Sequence, residues 1–395
     1  MRKSAVISII LLLSVVIMLL LTVNSLHYYF PHHPRGLTPQ AVADLQQQNM
    51  LLLHYSYLPR IAVALLTGAM LGLAGWLCQL LLKNPLAEPS TLGIASGAQL
   101  GMTLATLLGS SVLISQGLSL AGALVCGVII FILSNQRRLS PLTLLLTGLT
   151  IGLFCTALQH GIMLFRHQPL QTVFIWSSGN LTQNDWSVVK NLTPVVLIIV
   201  LLTVLFSRPL NLLRLSDTMI SSLGGRSQRI RLGGLLLVIF AAGWTVSQAG
   251  IIGFIGLFAP QICRLLPHKR FISHLLLVML FGALILLACD QVAVLMAYGG
   301  YQITAGNITA IGGIPLMLWI IARARFVTLP DLHPQPRRAR QINRRKWALL
   351  VILLILAALL AVSITRTGQG LQLTGSDPLG FRWPRAMVAG SCGAL

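Results

Sequence analysis

Apolar runs of roughly 18 residues or more recur along the whole chain, and that is the length a helix needs to cross the hydrocarbon core of a bilayer. In lipid every backbone N–H and C=O must be satisfied within the protein, which leaves helices and closed barrels as the spanning structures. The runs are rich in Leu and show no alternation of apolar and polar positions, so they read as helices rather than barrel strands. Charge agrees with this. Only 9% of residues are charged against 55% hydrophobic, where a soluble domain carries about a quarter charged residues. The predicted fold class is an all-α membrane protein.

Eleven spans are expected, over residues 4–23, 60–82, 94–114, 117–134, 143–164, 192–207, 232–250, 252–266, 272–297, 306–322 and 347–364. The first could be taken for a signal peptide, because Arg2 and Lys3 precede it. Its apolar stretch exceeds the usual ~7–15 residues of such a region, and Asn24-Ser25-Leu26-His27 offers no small-x-small cleavage site. It is expected to be a retained span. The net charge of +21 does not point to nucleic acid, because the basic residues punctuate the gaps between apolar runs. With the N-terminus placed in the cytoplasm, 21 of the 28 Lys and Arg fall on the inner side. That excess is the signature of membrane topology.

Chemical motifs are sparse. None of the six cysteines forms a CxxC pair, and most sit in apolar runs, where a free thiol packs as a small hydrophobe. His27, His32 and His33 share a predicted outer loop with tyrosine and read as interfacial residues, so no metal site is expected. There is no GxxxxGK[ST] phosphate loop, HExxH or GxSxG. ATP hydrolysis would have to come from another chain, and the chain is not expected to be an enzyme or to bind a cofactor of its own. Asp290 is the only acid well inside a span, which makes it a functional candidate or a carboxylate satisfied between helices. A proton- or sodium-driven transporter would need facing buried acids, and a membrane enzyme would need clustered nucleophiles or carboxylates. The seven acids are scattered.

Domain organisation follows from the spacing. Ten spans end near Arg325, giving a first module over residues 1–327. The stretch 328–346 contains Pro330, Pro334 and Pro336 and the cluster Arg337 to Lys346, and reads as a basic cytoplasmic linker. Residues 347–395 would start a second module. Pro59-Arg60, Val63-Ala64 and Gly68-Ala69 recur 325 residues later as Pro384-Arg385, Val388-Ala389 and Gly393-Ala394, a self-similarity of the kind transporters show. The second module is expected to be truncated early.

The strongest local string is Asn84-Pro85-Leu86-Ala87-Glu88-Pro89-Ser90-Thr91-Leu92-Gly93-Ile94-Ala95-Ser96-Gly97-Ala98. Pro85 and Pro89 block a helix between them, and Gly93 and Gly97 allow a tight turn and close packing. This string resembles the signature of FecCD-type permeases, which import iron–siderophores, haem and vitamin B12. Other landmarks follow in the family's order: Leu58-Pro59-Arg60, Leu144 to Gly148, Trp176 to Gly179 with Asp185-Trp186, Pro209 to Leu213 with Ser222-Leu223-Gly224, Gly253 to Pro260 with Gly256, Asp290, and Ile311-Gly312-Gly313-Ile314-Pro315. The resemblance covers about residues 1–327 and then restarts. Such tandem modules occur among permeases for iron(III)-hydroxamate siderophores.

The resemblance implies a ten-helix type II ABC-importer module of the vitamin B12 permease kind in a bacterial inner membrane. Its partners would be a cytoplasmic ATPase dimer that carries the ATP and Mg, a periplasmic siderophore-binding protein and a second permease half. Pro209, Leu213, Leu215, Ser216, Asp217, Ser222, Leu223 and Gly224 would couple to the ATPase. Ser140, Pro141 and Leu142 would sit at the cytoplasmic gate, although Pro141 and Leu142 depart from the small polar residues usual there. Arg60 would dock the binding protein, with Tyr57 standing where a companion arginine is common. Asn84, Pro85, Leu86, Ala87, Pro89, Gly93, Gly97, Gly253, Gly256, Pro260, Asp290, Gly312 and Pro315 would be structural. Another iron chelate, haem or vitamin B12, or an inactive product, are the alternatives.

Overall fold

A computed structural model describes residues 39–135, 140–165, 176–264, 270–298, 303–323, 364–367 and 370–373. The chain divides into two compact units, Met1–Ala324 and Arg325–Leu395. The expected first span and the linker 328–346 lie outside the described residues. So does the expected eleventh span, apart from Ile364.

The first unit is helical throughout its described residues. Helix α1, Pro39–Leu52, passes through a π turn, Leu53–Tyr57, into α2, Leu58–Leu82. Then follow a 3-10 turn at Pro89–Leu92, α3 Ile94–Leu107, α4 Val112–Asn135, α5 Pro141–Phe165 and α6 Ser187–Leu205. Two short helices, α7 Ser207–Leu212 and α8 Asp217–Ser222, lead to α9 Ser227–Ala249. Helices α10 Ile255–Arg264, α11 Phe271–Tyr298 and α12 Ala305–Arg323 complete the unit. Six helical stretches among the described residues are long and apolar enough to cross a membrane, and they coincide with the expected second, fourth, fifth, sixth, seventh and ninth spans.

Helix α2 is the hub, packed against α11, α9, α10 and α6, while α3 lies on α4 and α5. Lipid supplies no hydrophobic drive between helices, so close approach depends on small residues. Gly68 meets the backbone of Gly282 on α11, and Gly75 meets that of Gly256 at the head of α10. Around these crossings Leu73, Leu77, Val238, Ala259, Val278 and Phe281 form the buried core.

Three expectations about spans change. The second span starts further out, because the helix runs unbroken from α1 into α2. Pro59 lacks an N–H and its ring crowds the preceding turn, and the wider π turn just before it absorbs that clash. The third span is shorter than expected: α3 stops at Leu107, a turn with Gly109 at φ +62° follows, and α4 has begun by Val112. The eighth starts later than expected, at Ile255 after the turn at Phe254, and as α10 it is described as far as Arg264.

In the second unit, strands β1 Ile364–Thr367 and β2 Gly370–Leu373 pair antiparallel, with Ile364 opposite Leu373 and Thr367 opposite Gly370. The first unit matches the all-α expectation and this hairpin departs from it. The departure follows from Ile364, Thr365 and Thr367, β-branched residues that favour strand.

Candidate functional site

One end of the bundle is built from the foot of α2, the segment 207–226 and the start of α9. Helix α2 stops at Lys83, whose φ of +48° takes the left-handed form usual after a helix end. Its Nζ donates to the Leu215 carbonyl at 3.0 Å and reaches Asp217 at 3.4 Å. Ser216 caps α8, its hydroxyl accepting from the Met219 N–H at 3.3 Å. Asp217 takes both carboxylate oxygens to Arg231, at 2.8 and 2.9 Å, and the Arg231 side chain is only 2% exposed. Gly224, at φ +75°, ends α8, and the Gly225 N–H returns to the Ile220 carbonyl at 2.9 Å.

These bonds fix a two-helix elbow. Leu210, Leu213 and Ile220 are buried beneath it, whereas Met219 (56%) and Leu223 (67%) are exposed. Pro209 lies in α7, and the Ser222 hydroxyl folds back onto the Met219 carbonyl. All eight residues expected to couple to an ATPase therefore lie in one elbow.

Above it, Asn84 to Gly93 forms a folded plug. The Asn84 side chain accepts from the Leu86 N–H at 2.9 Å, and the Asn84 carbonyl accepts from the Ala87 N–H. Gln261 of α10 donates to the Pro85 carbonyl at 2.6 Å. Glu88 accepts from the Ser90 hydroxyl and, at 3.1 Å, from the N–H of Phe254, which has φ +69°. Pro89 rests on Gly256, and Gly93, at φ +69°, lies against the backbone of Gly148 and Gly152 on α5. Gly97 packs on Gly122 and Cys126 of α4. Gly253 and Pro260 flank the Phe254 turn and the middle of α10.

Burial pushes the Glu88 carboxyl up from its ordinary pKa, while Ser90 and the Phe254 N–H pull it down. The folded state thus holds the proton more tightly than the unfolded chain. Stability drawn from Glu88 is present below the unfolded pKa and is lost as pH rises through the folded one. Glu88→Gln keeps an acceptor and removes that titration, so it is expected to hold or raise stability at neutral pH. Glu88→Leu strands the Phe254 N–H and should cost about 1–3 kcal/mol. Thermal unfolding at several pH values checks both, and equal effects of Gln and Leu would count against the clamp.

At the other end of the bundle, Arg60 and Asp290 form one ion pair. Arg60 Nε donates to both Asp290 oxygens at 3.0 and 2.9 Å, and Nη2 to Oδ1 at 2.8 Å. Side-chain exposure is 15% for Arg60 and 0% for Asp290. One turn further out the Tyr57 hydroxyl donates to Gln291 at 3.2 Å, and the Trp186 indole donates to the His54 carbonyl at 2.9 Å. Beside Trp186, the Ser187 hydroxyl and N–H hold the Asp185 carboxyl below its ordinary pKa. Arg60, expected as a docking residue, is here turned onto the span carboxylate that the sequence treated separately.

The remaining expected positions are scattered. Ser140 caps α5, its hydroxyl taking the Thr143 N–H at 3.2 Å with Pro141 opening the helix, and Leu142 is exposed. The four residues before Ser140 lie outside the described residues. Gly312 and Pro315 lie on exposed positions of α12. Sequence reasoning missed Glu88, Lys83 and Arg231 as structural partners. An acid enclosed by Pro85 and Pro89, and an arginine at the head of an apolar span, were the available signals.

Comparison with known proteins supplies the rest. The FecCD transport family matches residues 5–323. The iron(3+)-hydroxamate import system permease FhuB of Escherichia coli K12 is 40% identical over 371 residues, 92% of this chain and 56% of that protein. The Salmonella typhimurium protein of the same name gives 40% over 372 residues. The chain thus spans about half the length of these curated relatives. The ferric dicitrate permease FecC of E. coli is 35% identical over 67% of this chain and 81% of its own length. A solved structure of a metal-chelate-type ABC transporter in an inward-facing conformation superposes with a TM-score of 0.66 and 26% identity, covering 78% of this chain and 97% of that one.

Proposed function

This chain belongs to the FecCD transport family, and from that premise we propose that it is a membrane permease subunit of an ATP-binding cassette importer for iron(III)-hydroxamate siderophores. Likeness to hydroxamate permeases over nearly the whole chain carries the substrate class. The elbow of α7 and α8 supports the coupling part of the reading. It is a short rigid knuckle between two spans, pinned by Asp217, Arg231 and Lys83, with Met219 and Leu223 presented outward.

In this reading the elbow end is cytoplasmic, because Lys and Arg concentrate there, and an ATPase subunit receives it. The Arg60 end faces the periplasm and a siderophore-binding protein, with a second permease half completing the pore. Arg60 then meets its partner through a guanidinium already seated on Asp290, and an exposed contact of that kind is worth only about 0–1 kcal/mol. Ser140 to Leu142 would mark the cytoplasmic gate.

The test is uptake of radiolabelled ferric hydroxamate in cells that express this chain with its partner ATPase. Uptake is expected to stop when the ATPase is inactivated and to survive brief uncoupling. Uptake lost to the uncoupler alone would sink the ABC reading. Uptake of ferric citrate or cobalamin in place of hydroxamate would sink the substrate assignment and leave the rest standing.

A further inference from the structure

Between α6 and α9 runs a groove of about 480 Å³ lined only by apolar residues, among them Val195, Ile198, Leu202, Phe206, Leu237 and Trp244. At its foot the Phe206 ring lies over Gly233, where a side chain on α9 would otherwise stand. From Gly233 to Trp244 the groove follows α9 for about 16 Å, which is close to half of a hydrocarbon core about 30 Å thick. It therefore has the depth of one leaflet.

The foot of the groove is also basic. Arg208 lies two residues beyond Phe206, and Arg229 lies four residues before Gly233 on the same face of α9. Both are exposed. Apolar slots between spans that end in exposed arginines suit lipids with acidic headgroups. We propose that this groove holds one acyl chain of an anionic phospholipid, with its phosphate set between Arg208 and Arg229. The site adjoins α7, so the lipid would wedge the elbow against the foot of α9. It rests on the orientation given above only for the leaflet, and not for the binding.

Lipid analysis of the purified full chain tests this without any transport measurement, so the two readings fail separately. The chain is exchanged into nanodiscs of equal phosphatidylglycerol and phosphatidylcholine, re-extracted in mild detergent and examined by native mass spectrometry. About one phosphatidylglycerol is expected to stay bound to each chain. Arg208→Ala with Arg229→Ala should lower that retention roughly tenfold or more. Ile198→Trp fills the groove from its open lip and should abolish it. Lys190→Ala, at the opposite end of α6, should leave it unchanged. Should a variant unfold, the unaltered chain still decides the matter. Phosphatidylglycerol brominated on its acyl chains should quench the fluorescence lost on Trp244→Phe more than brominated phosphatidylcholine does. Lipid bound in the bulk ratio, retention indifferent to the arginines and to Ile198→Trp, or crosslinks that place residues 4–23 or a second copy in the groove would each overturn the proposal.

Discussion

Arg60→Ala is expected to lower stability by about 3–5 kcal/mol, read as a fall in the thermal unfolding midpoint in detergent, because it strands a carboxylate inside the bundle. Asp290 is wholly buried on α11, and Arg60 reaches both of its oxygens from α2. Charges held in the membrane interior persist where they are paired. Removing one partner leaves the other with neither water nor counter-charge. Replacing both, with Arg60→Leu and Asp290→Leu, removes the stranded charge along with the pair and should recover most of the loss. Arg60→Lys should fall between, because a compact ammonium does not reproduce the fork that meets two oxygens. A double variant no more stable than Arg60→Ala would show that the pair is not what joins the two helices.

The second large effect concerns the elbow. Met219→Asp combined with Leu223→Asp is expected to reduce ferric hydroxamate uptake at least roughly tenfold and to stop the ATPase from co-purifying, as the loss of central contacts does at other interfaces. Both side chains are exposed and buried Ile220 is untouched, so the unfolding midpoint should shift by no more than a surface change does, about 0.5 kcal/mol. Ser216→Ala, which removes the α8 cap, should cost about 1 kcal/mol and weaken coupling only modestly. Undiminished uptake in the double aspartate variant would refute the elbow as the coupling element.

Six of the expected spans were legible because bilayer thickness imposes a length on each apolar run, and a run leaves its mark without any neighbour. Lys83, the Asn84 to Gly97 string and the acids were all visible as residues. Their partners were not. Arg60 and Asp290 lie 230 residues apart, and Glu88 and Phe254 lie 166 apart. No local period records which two helices meet. The start of α10 was hidden for a related reason: only the contact of Gly75 with Gly256 and the turn at Phe254 reveal that it begins part-way along α2. The π turn before Pro59 was hidden because proline usually marks a helix start.

The apolar helix from Gln47 to Leu82 is 36 residues long. At about 54 Å it exceeds a core about 30 Å thick by more than 20 Å. Its outer end continues as α1 back to Pro39, and its inner end is tied through Lys83 to the elbow. The contact of His54 with Trp186 and that of Lys83 with Leu215 are thus joined along one continuous helix, whose single departure from α geometry among its described residues is the five-residue π turn just outside the Arg60 latch.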